Sequence, residues 1–307
     1  MNIIEPSEHL WIDSYEKMFK DSDKVIYVNT DELHKELKKE KYHIGDEQFV
    51  VVSAASDLTL SEQAVDHPNL DLVKLAAMFD WSSVTSQRDK YPLVQVGPAC
   101  IISNCVPSDK YSLKTDRFTF NTIPDIPKNI KKLYITNLNV RHSRVEPLLF
   151  GLNNSGHGSS ILPNYVDEKK TKLLYVNMQN CTLERVHLNN HFKQCNWATF
   201  KNPNLKIEDF LEDVATHKFT LCALGNAVDS YRIWETIYLG GIAIIPRCTF
   251  SAYLESMNLP VYVTDYDRIF QLTPDELNAA WNLYQKCDVN YEPLKRSYWK
   301  QRILNDC

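Results

Sequence analysis

Glycine is scarce in this chain, eight among 307 residues, and none stands in the turn that follows the first β-branched run, residues 25–30. A dinucleotide or cofactor loop of the GxGxxG kind needs glycines there, which argues against epimerases and methyltransferases built that way. Long apolar runs are missing too: the best, residues 238–246, is too short to span a bilayer. There is no basic excess, since 34 Lys and Arg face 39 Asp and Glu for a formal net charge of -5. A protein that grips nucleic acid through its phosphates normally carries the opposite sign, so no nucleic-acid partner is expected. Cysteine is present but unpatterned. Cys100, Cys105, Cys181, Cys195, Cys222, Cys248, Cys287 and Cys307 form no CxxC pair and no zinc-spaced cluster, and they read as reduced thiols. The first residues, MNIIEPSEHLWIDSYEK, are acidic and hold a proline where a signal peptide has a basic start and an apolar stretch. The expectation is a cytoplasmic protein, and the glycosylation-type triplets at Asn153 and Asn180 therefore carry little weight.

What is there is ordinary for a folded protein: 44% hydrophobic and 24% charged residues. The length suits two domains, each able to bury a core. Residues 24–29 read as a strand leading through Thr30, Asp31 and Glu32 into a capped helix that reaches Lys39. Residues 48–53 are apolar nearly throughout, as in a strand covered on both faces, with Ser56 and Asp57 at its carboxyl end. Residues 70–81 carry a helical period, 94–103 form a further apolar run, and 131–136 and 145–150 predict two more strands. The turn-rich stretch 151–158 breaks the pattern and marks the interdomain linker. Alternation then restarts with a strand at 172–176, helices at 181–192 and 207–216, and a strand at 218–223. Residues 274–304 predict a helical tail broken at Pro293, able to pack back across both domains.

Residues 217–246 read as strand, loop, helix, tight turn and strand. Gly225 and Asn226 are expected to permit positive φ where the strand ends. Asp229 or Ser230 is expected to accept a hydrogen bond from the first helical amides, and Gly240-Gly241 to stop the helix. Such a helix starts at the carboxyl edge of a parallel sheet, where free N–H groups and the helix dipole favour an anion such as a diphosphate. Arg232, Glu235 and Leu239 share one face by their spacing. A guanidinium there can grip diphosphate oxygens, and a carboxylate one turn further can accept from both ribose hydroxyls. A solvent-facing Arg232/Glu235 ion pair accounts for the same spacing equally well.

Three blocks in order, residues 218–226, 229–235 and 239–246, resemble the C-terminal signature of the exostosin-like glycosyltransferases. Weaker matches at Ser56-Asp57, at 137–142 with 147–151, and at 177–185 extend the resemblance over most of residues 50 to 270. It implies an α/β fold of GT-B type, two Rossmann-like domains facing across a cleft with a C-terminal helical tail. Residues 1–155 are then the acceptor side and 156–307 the nucleotide-sugar side. It implies inverting transfer from a UDP-sugar to a glycan hydroxyl, with pentose, hexose or uronic acid unresolved. The donor residues it implies are Arg232 and Glu235, to which Arg185, Gly225, Asn226 and Ser230 are added from their places along the chain. The resemblance is imperfect: Ala227 stands where the family has a second glycine. No membrane anchor like that of animal and plant members is expected, which suggests a bacterial or large-DNA-virus type of chain.

Glycosyl transfer needs a base for the acceptor hydroxyl, stabilisation of the leaving diphosphate and a cleft that excludes water. Arg232, Arg185 and the helix start near Ser230 would serve the second need in place of a metal, and no metal or other cofactor is expected. Asp265 and Asp267 spell a DxD but follow a strand as an ordinary turn. His187 and His191 have helical ligand spacing without a third ligand. For the base, Asp57 is the first choice and His142 the second, although Asp57 could equally form an Asx turn. Trp81, Trp197 and Trp234 read as core. The alternative reading is a non-catalytic nucleotide- or glycan-binding protein on the same scaffold, keeping Arg232 and Glu235 but lacking a base.

Overall fold

A computed structural model describes residues 4–11, 13–54, 60–61, 126–139, 141–153, 161–180, 183–225 and 227–307. Asp57, Asn226, the helix expected at 70–81 and the run at 94–103 lie outside the described residues.

The first half builds a four-stranded parallel sheet from β1 (Val25–Asn29), β2 (Phe49–Ala54), β4 (Ile130–Thr136) and β6 (Val145–Leu148), in the order β1-β2-β4-β6. Short β3 (Leu60–Ser61) pairs in parallel with β5 (Leu138–Asn139). Every residue of β2 is buried, as its unbroken Val50-Val51-Val52 run requires of a strand covered on both faces. Helices α1 (Ser14–Phe19) and α2 (Leu33–Leu37) accompany this sheet. The expected cap is not made: after β1 the chain passes through a 3-10 turn at Thr30–Glu32, and α2 starts with no side-chain cap.

The second half repeats the plan with β7 (Lys172–Val176), α3 (Leu183–Phe192), β8 (Ala198–Phe200), α4 (Ile207–Thr216), β9 (His217–Leu221), α5 (Tyr231–Tyr238) and β10 (Ile242–Pro246). Helix α6 (Thr249–Ser256) and β11 (Val261–Thr264) follow. The five strands are parallel in the order β11-β10-β9-β7-β8. Helices α4 and α5 each bury one stripe, Phe210, Leu211, Val214 and Ala215 in one and Ile233, Trp234, Ile237 and Tyr238 in the other, the pairwise spacing of a helix lying on a sheet. Gly240 ends α5 with φ 76°, and the Gly241 N–H returns to the Thr236 carbonyl at 2.9 Å, as the glycine pair predicts.

The two sheets share one hydrophobic core, which takes Val25, Val50, Val52 and Tyr134 from the first and Tyr175, Ala243 and Ile245 from the second. After a short helix α7 (Tyr266–Ile269), the tail is helical as expected, with α8 (Pro274–Tyr284) and α9 (Arg296–Asn305) and a turn at Pro293. It closes over both halves. Trp299 meets Tyr15 edge-on at 6.4 Å, Arg302 reaches Glu146 of β6 at 3.3 Å, Tyr134 of β4 donates to Asp306, and Tyr238 of α5 donates to the Leu294 carbonyl. At the join Gly151 has φ 71°, and a Cβ there would lie 2.3 Å from the Leu10 carbonyl oxygen, so only glycine fits.

Candidate functional site

The connections of the second sheet determine where a ligand could sit. From β7 the chain runs through α3 to β8 on one side, then returns through α4 to β9 on the other, so successive crossovers leave β7 and β9 in opposite directions. Such a switch opens a crevice beyond the carboxyl ends of the two strands. A cavity of about 730 Å³ occupies it, and its wall includes Asn177 after β7, Cys222 and Gly225 after β9, Phe210 on α4, and Ser230, Arg232 and Glu235 at α5. Phe150 and Asn153 reach it from the end of the first half, and Arg185 from α3.

Arg232 donates through Nη1 to the Asn177 carbonyl and, at 3.4 Å, to Asn177 Oδ1, while its guanidinium lies 4.2 Å from the centre of the Phe210 ring. Its Nε is 3.7 Å from Glu235 Oε2 and, although buried, makes no hydrogen bond. The Glu235 side chain is only 16% exposed. Burial pushes its carboxyl above the ordinary range and Arg232 works against that rise. The pair is therefore an ion pair of the expected spacing and a piece of cavity wall at once. Its geometry leaves Nε and the carboxylate able to turn to a ligand that offers better hydrogen bonds.

Arg185 is fastened to the loop after β9: Nε donates to Leu224 O at 3.0 Å and Nη2 to Ala223 O at 2.9 Å. This explains Gly225 differently from the sequence expectation. Its φ is not in the left-handed region; instead a Cβ there would sit 2.6 Å from Arg185 Nη2. The glycine makes room for a guanidinium forty residues upstream.

The capping expectation is also corrected. Ser230 is the N-cap of α5 but makes no side-chain cap bond, and its hydroxyl oxygen, buried at the cavity wall, has no partner. Asp229, 1% exposed, turns away from the helix amides: its carboxylate accepts from Phe150 N at 2.7 Å and from the Trp234 indole at 2.6 Å. Its own N–H donates to Asn137 Oδ1 at 3.1 Å. Burial pushes its carboxyl well above the usual range. The uncapped helix start therefore faces the cavity with part of its donor capacity unspent.

His142 lies in the turn before β6, where Nδ1 accepts from Arg144 N at 3.1 Å. That is the opposite end of β6 from Phe150, and His142 is not in the cavity wall. Asp265 pairs with Arg247 at 3.0 Å and opens α7. His191 is 3.6 Å from Cys195 Sγ, and among the described residues no three His, Cys, Asp or Glu side chains converge as a metal set. Trp234 is fully buried, and Trp197 packs edge-on to Phe192. Asn177 and Phe210, which hold Arg232, were not anticipated as site residues. Two signals point to Asn177: its place directly after a predicted strand and its position at the head of the 177–185 block of the resemblance.

Compared with known proteins, the chain matches no family model and no curated protein.

Proposed function

We propose that this chain is a glycosyltransferase of GT-B type that moves a sugar from a UDP-sugar to a glycan hydroxyl with inversion and without a metal. One observation carries the reading: the cavity at the crossover switch point brings two guanidinium groups, a buried carboxylate and an uncapped helix start to one wall. That combination suits a nucleoside diphosphate, with fixed positive charge and free N–H groups for the phosphates and an acceptor for a ribose diol. The cations would also take up the charge that grows on the departing diphosphate, where preorganised donors contribute most to rate. The resemblance to exostosin-like enzymes supplies the uridine and the inversion. Asp57 is the base in this reading; His142, at the far end of β6 from the cavity, is not placed for that role. Among the described residues the cavity wall belongs to the second half apart from Phe150 and Asn153, and in this reading the acceptor approaches from the first half.

A melting panel of nucleotides and sugar nucleotides tests the binding claim, because a ligand that favours only the folded chain raises its melting temperature with concentration. UDP and at least one UDP-sugar should raise it; a flat panel would remove the assignment. Slow hydrolysis of that UDP-sugar, undiminished by a chelator, separates the enzyme from a nucleotide-binding protein without a working base. Asp57→Asn should then lower turnover by orders of magnitude with donor affinity nearly unchanged.

A further inference from the structure

The cavity wall changes character from one side to the other. Pro203, Asn204 and Leu205 come from the loop after β8. In the sheet order β8 stands two strands from β9, roughly 10 Å away. Asn177 ties this loop down, donating through Nδ2 to the carbonyls of Lys201 at 3.2 Å and Asn202 at 2.7 Å. On the other side, where the chain turns into α5, Phe150 and Tyr231 stack with centroids 5.4 Å apart and planes 14° from parallel. The backbone of Phe150 is held by the Asp229 carboxylate, so this platform is fixed before any ligand arrives. Arg185 of α3 and Arg232 of α5 also line the cavity, bonded to the loops after β9 and β7 respectively.

We propose that the Phe150–Tyr231 stack is the subsite for the transferred sugar, with the nucleoside lying toward the 203–205 loop. This rests on the nucleotide-sugar reading above. Tyr231 is the first residue of α5 and adjoins Ser230, which puts its ring within reach of a sugar bonded to a phosphate held at that helix start. Glu235 is four residues further along, about 6 Å down the helix axis. A ribose held there and a sugar at Tyr231 then occupy separate places along α5. Sugar C–H groups pack well on an aromatic face. The side toward Leu205 offers apolar surface and neutral amides, which suit a base.

The test is calorimetric titration of wild type, Tyr231→Phe, Tyr231→Leu and Leu205→Ala with UDP, UDP-glucose, UDP-xylose and UDP-glucuronate. Wild type should distinguish at least one UDP-sugar from UDP. Tyr231→Leu should erase that difference, an effect of about three- to tenfold for one aromatic contact, while binding UDP within about twofold of wild type. Tyr231→Phe should keep the difference, and Leu205→Ala should weaken UDP and the UDP-sugar by equal factors. Tyr231→Leu weakening UDP as much as the UDP-sugar, or changing neither, would overturn the proposal. So would a wild type blind to all three sugars, or a Leu205→Ala variant that loses only the sugar-dependent difference, which decides the matter even if Tyr231→Leu melts early. A wild type that binds no UDP would instead remove the site reading beneath it.

Discussion

The two parallel sheets use their carboxyl ends in opposite ways. Beyond the first sheet, several of the described polar side chains are already bonded to protein. Ser53 donates to Thr30 at 3.1 Å, Asn137 accepts the Asp229 N–H while its own backbone sits at φ 57°, and Asn139 accepts the Phe250 N–H at 3.1 Å. Beyond the second sheet stand Arg185, Arg232 and Glu235 around a cavity. A parallel sheet offers loops and helix starts at its carboxyl edge in either case. What differs is whether another part of the chain has already satisfied them. Here the first edge docks the second half, and the second edge remains open to a ligand.

The largest effect should come from breaking the docking. Asp229→Ala strands the Phe150 N–H and the Trp234 indole, each costing about 1 to 3 kcal/mol when buried without a partner. Urea unfolding should show a loss in that range or up to twice it, and a loss under about 1 kcal/mol would mean that the first edge is not held as described. Next is His217 at the opposite, amino end of β9, fully buried, with Nε2 2.7 Å from Thr199 Oγ1 and Nδ1 bonded to the Asp213 carbonyl. Burial pushes it down from 6.5 to about 4. The folded chain resists the proton that the unfolded chain accepts, so this contribution is complete above pH 6.5 and fades as the pH falls to about 4, by about 3 kcal/mol in all. His217→Gln should flatten that acid limb and leave nucleotide binding unchanged; a lost nucleotide affinity would break the division between the two ends of the sheet.

Smaller effects sharpen the picture at the open edge. Gly225→Ala should displace Arg185 and weaken UDP several-fold, while stability moves by less than about 1 kcal/mol because the clashing atom ends a flexible side chain. Unchanged affinity would show that Arg185 does not face the ligand. Smallest is a pH effect in Arg232→Ala. The carboxyl of Glu235 already sits above its unfolded value of 4.5, so its ionisation costs stability as pH rises from there to the folded value. Removing the cation that opposes this shift should carry the loss to higher pH, as melts at pH 5, 6 and 7 would reveal. Parallel curves for variant and wild type would contradict the burial assigned to Glu235.

Periodicity sufficed for most of the architecture. The strand beginning at Phe49, the helix over 207–216, the helix before Gly240-Gly241 and the broken tail all follow from local pattern and turn chemistry. The same local logic placed Arg232 and Glu235 on one face. It failed where a residue answers to something distant. Asp229 looks like a helix cap but serves Phe150, 79 residues away, and Gly225 looks like a positive-φ turn but yields to Arg185. Phe210 and Asn177 belong to the site because α4 and the end of β7 fold against α5, a juxtaposition that no spacing in the chain announces.

The account stands on nucleotide recognition at the open edge, and calorimetry with UDP and GDP on wild type, Arg232→Ala and Glu235→Gln tests it most directly. Wild type should prefer UDP. Arg232→Ala should weaken UDP through loss of a charge-assisted contact, and Glu235→Gln should weaken it by about 1.5 to 3 kcal/mol, the range of one charged hydrogen bond. Preference for GDP, or two variants that bind UDP as wild type does, would contradict the assignment of this cavity to a uridine nucleotide.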